Sequence, residues 1–298
     1  MTVRAETVRV RGRLVRVGSV ESDGIDFPDD PATLLTTARS SANGVDVFTF
    51  AQTLPHTQPR FDYPMEWDNC AALSISTFDH WWTEQIDRKT RNMARKGEKK
   101  GLVVREIGFD DALVKGISDL YNESPVRQGK RFWHYGKDLE TVRRENSTFL
   151  ERSVLIGAFL EERLVGFLKL VVDKDGQQAR VMQILSMVKH RDTAATNALI
   201  AQGVRSCAER GLPWMVYASF SYGKKQKDSL AEFKLSNAFE RVEIPRYYVP
   251  LTARGTLALR LGLHHRLSER VPETILAKVR MIRSMWYDRK FQASREAL

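Results

Sequence analysis

The order of apolar segments between residues 102 and 249 predicts an α/β (α+β) protein built on a mixed central sheet, and three observations support that expectation. Strand-like and helix-like patterns follow one another as β-α-α-β-β-β-α-β-α-β. FLEERLVGF places two polar residues between two apolar runs, the pattern of a tight hairpin joining central strands. A chain of 298 residues that is 42% hydrophobic has enough apolar side chain for one large core or two modest ones.

Taken in order, residues 1–77 alternate short strand-like runs (TVRVRGRLVRV, GVDVFTFAQ, CAALSIS) with Pro- and Asp-rich turns such as DFPDDP and TQPRFDYP. This predicts a β-rich N-terminal region. A helix is expected over residues 78–101, capped by Asp79, with Trp82, Ile86 and Met93 as its apolar stripe and Gly101 as its end. Residues 102–250 then read as the main domain. Its strands are expected at 102–107, 153–160, 163–172, 178–187, 213–219 and 241–249, and its helices at 110–121, 137–146, 193–210 and 228–236. Residues 251–298 are expected to form a basic C-terminal helical segment, with Ile275, Val279, Ile282 and Trp286 on one helical face and Lys278, Arg280 and Arg283 beside them.

Composition narrows the function. No stretch approaches the roughly 18 apolar residues of a membrane span, and MTVRAETVRVRGR lacks the apolar run of a signal peptide, so a cytoplasmic protein is expected. Cys70 and Cys207 lack zinc or redox spacing and read as reduced structural thiols. No G-x-S-x-G elbow, H-E-x-x-H or P-loop occurs, and His264 and His265 are adjacent rather than four apart, which argues against a metal site. The formal net charge is +10, with seven basic residues in RKTRNMARKGEKKG. Clustered cations of this kind gain free energy by releasing counterions from a polyanion, and they also occur as plain solvated faces. Arg88, Lys89, Arg91, Arg95, Lys96, Lys99 and Lys100, with Lys224 and Lys225 in SYGKKQKDS, are the candidate RNA contacts.

The element order is that of the GNAT acyltransferase fold, in which a central strand splays from its neighbour and the acyl donor lies in the gap. RKTRNMARKGEKKGLVV resembles the T-R-x-N-I-x-K-A-x-K-x-G-V stretch of the FemAB-like branch of that fold, and LAEFKLSNAFERV resembles its helix-to-strand segment. There the branch carries an F-K pair followed by a G-F turn. Here the pair is Phe233-Lys234, and Ala238-Phe239 stands at the turn. The resemblance spans about residues 78–250 and implies a degenerate first GNAT-like unit in the N-terminal region. It also implies aminoacyl transfer from aminoacyl-tRNA to an amine of a small molecule or peptide, without a resident cofactor. Proteins of this fold that use acyl-CoA hold its pyrophosphate on a Gly-rich turn; VKHRDTAATNALIAQG has no glycine before Gly203, which disfavours acetyl-CoA or another acyl-CoA as donor. His190 and Arg191 could still meet a phosphate by charge.

The candidate catalytic residues are Lys234, Glu123, Tyr222 and Tyr247. Lys234 interrupts a core-like helix end, and the resemblance implies that its match contacts the reacting end of the donor; otherwise it is a snorkelling lysine covering Phe233. Glu123 is a candidate general base with His134 its rival, or else it is an ion-pair partner of Arg127 or Lys130. Phe132, Trp133, His134, Tyr217, Phe233, Asn237 and Arg246 are the candidate substrate-binding residues, with Tyr248 a further tyrosine able to orient an acyl group. An RNA-binding module that has lost its donor site is the alternative of another class.

Overall fold

The computed structural model describes residues 7–41, 44–127, 130–220 and 229–265. The strands are β1 (Val8–Arg11), β2 (Val17–Val20), β3 (Val47–Ala51), β4 (Met65–Ser74), β5 (Leu102–Glu106), β6 (Val126–Arg127), β7 (Lys130–Arg131), β8 (Ser153–Leu160), β9 (Arg163–Val172), β10 (Gln178–Ser186), β11 (Trp214–Tyr217) and β12 (Glu240–Pro250). The helices are α1 (Pro31–Arg39), α2 (Phe78–His80), α3 (Arg88–Lys96), α4 (Asp111–Asn122), α5 (Leu139–Asn146), α6 (Ala195–Glu209), α7 (Ser229–Ser236) and α8 (Ala253–Arg260). From β5 to β12 every strand and helix expected from the sequence has its boundaries within two residues of its expected place, while the short pair β6 and β7 forms in a stretch where no strand was expected. The hairpin between β8 and β9 turns at Glu161 and Glu162, as its two polar residues require.

Among the described residues, ten strands form one mixed sheet in the order β1-β2-β3-β12-β4-β11-β10-β9-β8-β5. Side chains alternate faces along β9. Leu168 and Leu170 meet Gly203 of α6, while Lys169 between them reaches the carbonyls of Asn146 and Thr148, so helices cover both faces. The larger core joins α4 and α6 to this half of the sheet. A second core in the N-terminal half gathers Leu35, Phe48, Phe50, Tyr247 and Val249. N-terminal strand β4 lies between β11 and β12, so one sheet runs through both halves.

The expected helix over 78–101 is broken. Thr77 rather than Asp79 caps α2, accepting from His80 N at 3.1 Å, and the chain then widens into a π-turn at Trp81–Gln85. Ile86 is extended, and Asp87 restarts the helix by accepting from Thr90 N at 2.7 Å. Gly101 does end the segment, in the left-handed conformation at φ 81°.

Candidate active site

The site begins where β10 and β11 part. These two parallel strands pair at Gln178 with Trp214, Ala179 with Met215 and Arg180 with Val216. Beyond that, β10 continues to Ser186 with a register shift between Val181 and Gln183, while β11 ends at Tyr217 and passes its next hydrogen bond to β4 through Ala71 N and Ala218 O at 2.8 Å. Past Arg180 and Val216 the two strands no longer pair with each other, and this gap stands where the GNAT-like element order implies a splay.

On the β11 wall stands Lys234. It is fully buried, so it does not snorkel over Phe233. Its Nζ donates to Ser219 O at 2.6 Å and Phe220 O at 3.3 Å and lies 4.7 Å from the centroid of the Tyr217 ring. Lys234 and its neighbours are held by the end of α7. There Phe239 N donates to Lys234 O and Ala238 N to Leu235 O, closing the helix through a left-handed residue, Ala238 at φ 65°. This is the place where the resembling segment has glycine, and alanine keeps the same backbone. Phe239 is buried edge-on against Tyr217 at 5.9 Å. Asn237 is buried too: Trp81 Nε1 donates to its carbonyl at 3.2 Å, its Nδ2 donates to Phe233 O at 2.8 Å, and its Oδ1 has no partner among the described residues. Phe233, Lys234, Asn237 and Tyr217 are thus brought together. Asn69 of β4 accepts from Phe220 N at 2.9 Å, so the N-terminal half braces the same wall. Tyr222, Lys224, Lys225 and the C-terminal helix face around Ile275 lie outside the described residues.

The β10 wall carries Glu123, and its geometry corrects the expectation of a general base. One carboxylate oxygen accepts from Arg127 at 3.0 Å and from Val188 N at 2.7 Å, and the other accepts from Lys189 N at 2.9 Å. Arg127 itself donates to Ser186 O and Leu120 O. The carboxylate is the fixed anion of the turn leading into α6, and the ion pair with Arg127 was the alternative expected for it. The turn enters α6 through Ala194, left-handed at φ 52°, the conformation that favours glycine, so its backbone shape persists without one. His134 stacks on Tyr121 at 4.2 Å beside Phe132, with its Nδ1 3.3 Å from Lys137 Nζ. Burial first, then the Lys137 charge, push its pKa down to about 4, so the ring is neutral at pH 7. Trp133 is exposed on the same loop, under Lys137 Nζ at 3.6 Å from the ring centroid.

Two further expectations are corrected. Arg246 spans Asp23 at 2.9 Å and Asp68 at 2.8 Å; burial alone would lower its pKa, and the two carboxylates more than offset this, leaving it raised. Tyr247 is fully buried in the N-terminal core, donating to Gln52 Oε1 at 2.6 Å and accepting from Arg60 N at 3.0 Å. Both lie six or seven residues along β12 from Glu240, the end next to Lys234, or about 20 Å at ~3.3 Å per residue, so neither reaches the splay. Tyr248 packs on the other face of β12 against His264.

Of the basic residues on α3 and after it, Arg88, Lys89, Arg95, Lys96, Lys99 and Lys100 are exposed. Arg91 is the exception: its guanidinium donates to the carbonyls of Trp82, Thr83 and Ile86, tying the π-turn to α3, so the expected Arg91-Arg95-Lys99 stripe is not a surface stripe. Lys100 pairs with Asp192. Arg95 lies over Trp82 at 5.0 Å and Arg205 over Phe78 at 3.7 Å, and these four residues line a surface cleft of about 450 Å³ that sequence reasoning missed. Cys70 and Cys207 are buried free thiols, pushed by burial to about 11 and about 12.

No protein-family model and no curated protein matches the chain. Solved structures do. FemX superposes with a TM-score of 0.55 at 10% identity, covering 85% of this chain and 86% of that one. L-PGS from Bacillus licheniformis gives 0.53 at 16% identity over 85% of each chain. The DUF2156 C-terminal domain of an Agrobacterium fabrum protein assigned as a lysylphosphatidylglycerol synthetase gives 0.54 at 14% identity, covering 87% of this chain and 89% of that one. Among the described residues no helix is long and apolar enough to cross a membrane. Splayed central strands, the flanking helices and these superpositions together make this chain a GNAT-like fold of the kind seen in FemX and the lysylphosphatidylglycerol synthetase domain.

Proposed function

We propose that the protein is an acyltransferase that forms an amide, moving an aminoacyl group from aminoacyl-tRNA to an amine on a small molecule or peptide. The observation that carries this reading is the fully buried Lys234 ammonium on the wall of the splay. An aminoacyl ester is already activated, so the protein has to position the amine and stabilise the oxyanion of the tetrahedral intermediate. The amine nitrogen attacks the ester carbonyl, the C–N bond forms, and the oxyanion collapses with cleavage of the C–O bond. The ribose hydroxyl leaves with the proton lost by the amine. Lys234 is the cation proposed to face the oxyanion, in a place where water does not screen it.

The donor assignment rests on the turn into α6. Glu123 already supplies an anion to the N–H groups of Val188 and Lys189, and a methyl group stands at left-handed Ala194. A pyrophosphate approaching that turn meets a carboxylate and a side chain instead of bare backbone, which disfavours acyl-CoA. The exposed cations of α3, and Arg95 and Arg205 stacked on Trp82 and Phe78, suit a phosphate backbone with unpaired bases. FemAB-like residues at 88–104 and 230–242 point the same way, and one structural neighbour is described as the C-terminal domain of a lysylphosphatidylglycerol synthetase.

The test is direct. The protein is incubated with a charged tRNA pool and a panel of amines, with acyl-CoA in a parallel arm, and products are read by mass spectrometry. Amide product from charged tRNA that disappears with RNase supports the reading. Product from acyl-CoA alone replaces the donor, and RNA binding without product in either arm leaves an RNA-binding module.

A further inference from the structure

We propose that Glu66, His264 and His265 form a binding site for one divalent transition-metal ion, with zinc the best fit, at the seam between β4 and the end of α8. Adjacent histidines point about 100° apart on a helix and to opposite faces of a strand, which is why their spacing alone argued against a metal. Here the chain belongs to neither element. α8 closes through left-handed Gly262 at φ 64°, with Leu263 N donating to Ala258 O at 2.7 Å and Gly262 N to Leu259 O at 2.9 Å. The turn that follows brings both imidazoles to one side, their centroids 4.0 Å apart with 39° between the planes.

Glu66 of β4 faces them. Its Oε1 lies 2.9 Å from His264 Nε2 and 3.3 Å from His265 Nε2, and all three ligand atoms fall within 4.8 Å of one another. In a tetrahedral zinc centre with bonds of about 2.0–2.1 Å, neighbouring ligand atoms stand roughly 3.3–3.5 Å apart, so the carboxylate oxygen already stands near that separation from each imidazole nitrogen. Two imidazoles and one carboxylate suit zinc and its first-row neighbours and not magnesium or calcium, which take oxygen ligands. His264 is 5% exposed, and its Nδ1 has no hydrogen bond among the described residues, so the contact with Glu66 is not one link in a finished polar network. Side chains of Glu66 and His265 are 43% and 34% exposed, which gives an ion an entry path and leaves room for water as fourth ligand. Glu66 sits on a strand paired to β12 opposite Arg246, and Tyr248 of β12 backs the His264 ring at 4.7 Å, so the carboxylate and one imidazole are both held against the sheet. Bound metal would clip the end of α8 to the sheet.

The test uses the full chain without a histidine tag, stripped with chelator. Zinc is titrated calorimetrically, cobalt is substituted and read by its visible spectrum, and thermal unfolding is followed with and without zinc. One equivalent of zinc, a cobalt spectrum of four-coordinate type and a rise in melting temperature reversed by chelator are expected. Glu66→Gln and His265→Ala, both at partly exposed positions and therefore compatible with folding, should each weaken zinc binding tenfold or more. His80→Ala serves as control and should leave it unchanged. Absence of stoichiometric binding, or binding indifferent to both ligand variants, overturns the site and leaves a carboxylate shared by two histidines.

Discussion

At the scale of single residues, Lys234 is the test of what burial means. A lysine at a core-like helix end was legible in the sequence; that it is enclosed by Tyr217 and the carbonyls of Ser219 and Phe220 was not, because residues 219 and 220 are distant in sequence and follow a strand end. Lys234→Met keeps the stem and removes the charge. If the ammonium meets the oxyanion, turnover should fall roughly a hundred- to a thousandfold, about 2.7–4 kcal/mol, with a much smaller change in KM. Lys234→Arg should not restore it, since a planar fork does not reproduce a compact point charge. A folded Lys234→Met enzyme within about threefold of the parent would reduce the lysine to a latch for residues 219–220. His134 makes the second test. Its folded pKa of about 4 lies below that of a free imidazole, so between pH 6.5 and 4 the unfolded chain binds a proton that the folded chain refuses. This contribution is therefore fully present above pH 6.5 and lost as pH falls toward 4, by about 3 kcal/mol. Urea unfolding across that range should show the parent losing more stability than His134→Phe by roughly this amount, and parallel curves would contradict the assignment. Glu123 shows how far local reasoning reaches: its Arg127 partner four residues on was readable, and the two backbone donors at 188 and 189 were not.

Helices and strands were legible wherever hydrophobic period and end signals agreed, which is why α4, α5, β8 and β9 fall where they were expected. The break at Ile86 was hidden. Trp82, Ile86 and Met93 satisfy a helical stripe whether or not the backbone turns out of the helix between them, and only the Asp87–Thr90 pairing marks the restart. Arg91 was misjudged for the same reason, since a continuous helix would have left it on the surface. The exposed cations are now distinguishable from it. Lys89→Glu, Lys96→Glu and Lys99→Glu combined should weaken tRNA binding at least tenfold and flatten its salt dependence while the melting temperature stays within about two degrees. Filter binding at several salt concentrations reads both, and unchanged affinity would mark α3 as a solvated face. At the end of α7, Ala238 holds the left-handed position that glycine takes at lower conformational cost. Ala238→Gly should stabilise the fold by about 0.5–1 kcal/mol in chemical denaturation, and a destabilisation would show that the methyl group contributes packing.

The whole molecule is joined by β4. Residues 1–77 matched nothing recognisable as sequence, because strand alternation tells which face a residue takes and not which strands will be its neighbours. In the fold they supply the strand between β11 and β12, and through Asn69 they brace the segment that holds Lys234. Arg246 and Tyr247 were misplaced for the same reason: their aromatic and basic strand runs away from the splay into the N-terminal core. The net charge of +10, the cations on α3 and the closed turn at Glu123 all bear on which donor enters the splay. Calorimetric titration of one protein sample with charged tRNA and, separately, with acetyl-CoA, each at low and high salt, measures that choice. The account predicts tRNA binding at about micromolar Kd or tighter, weakening steeply with salt, and no measurable binding of acetyl-CoA. Tight acetyl-CoA binding that is indifferent to salt and to added tRNA would contradict it.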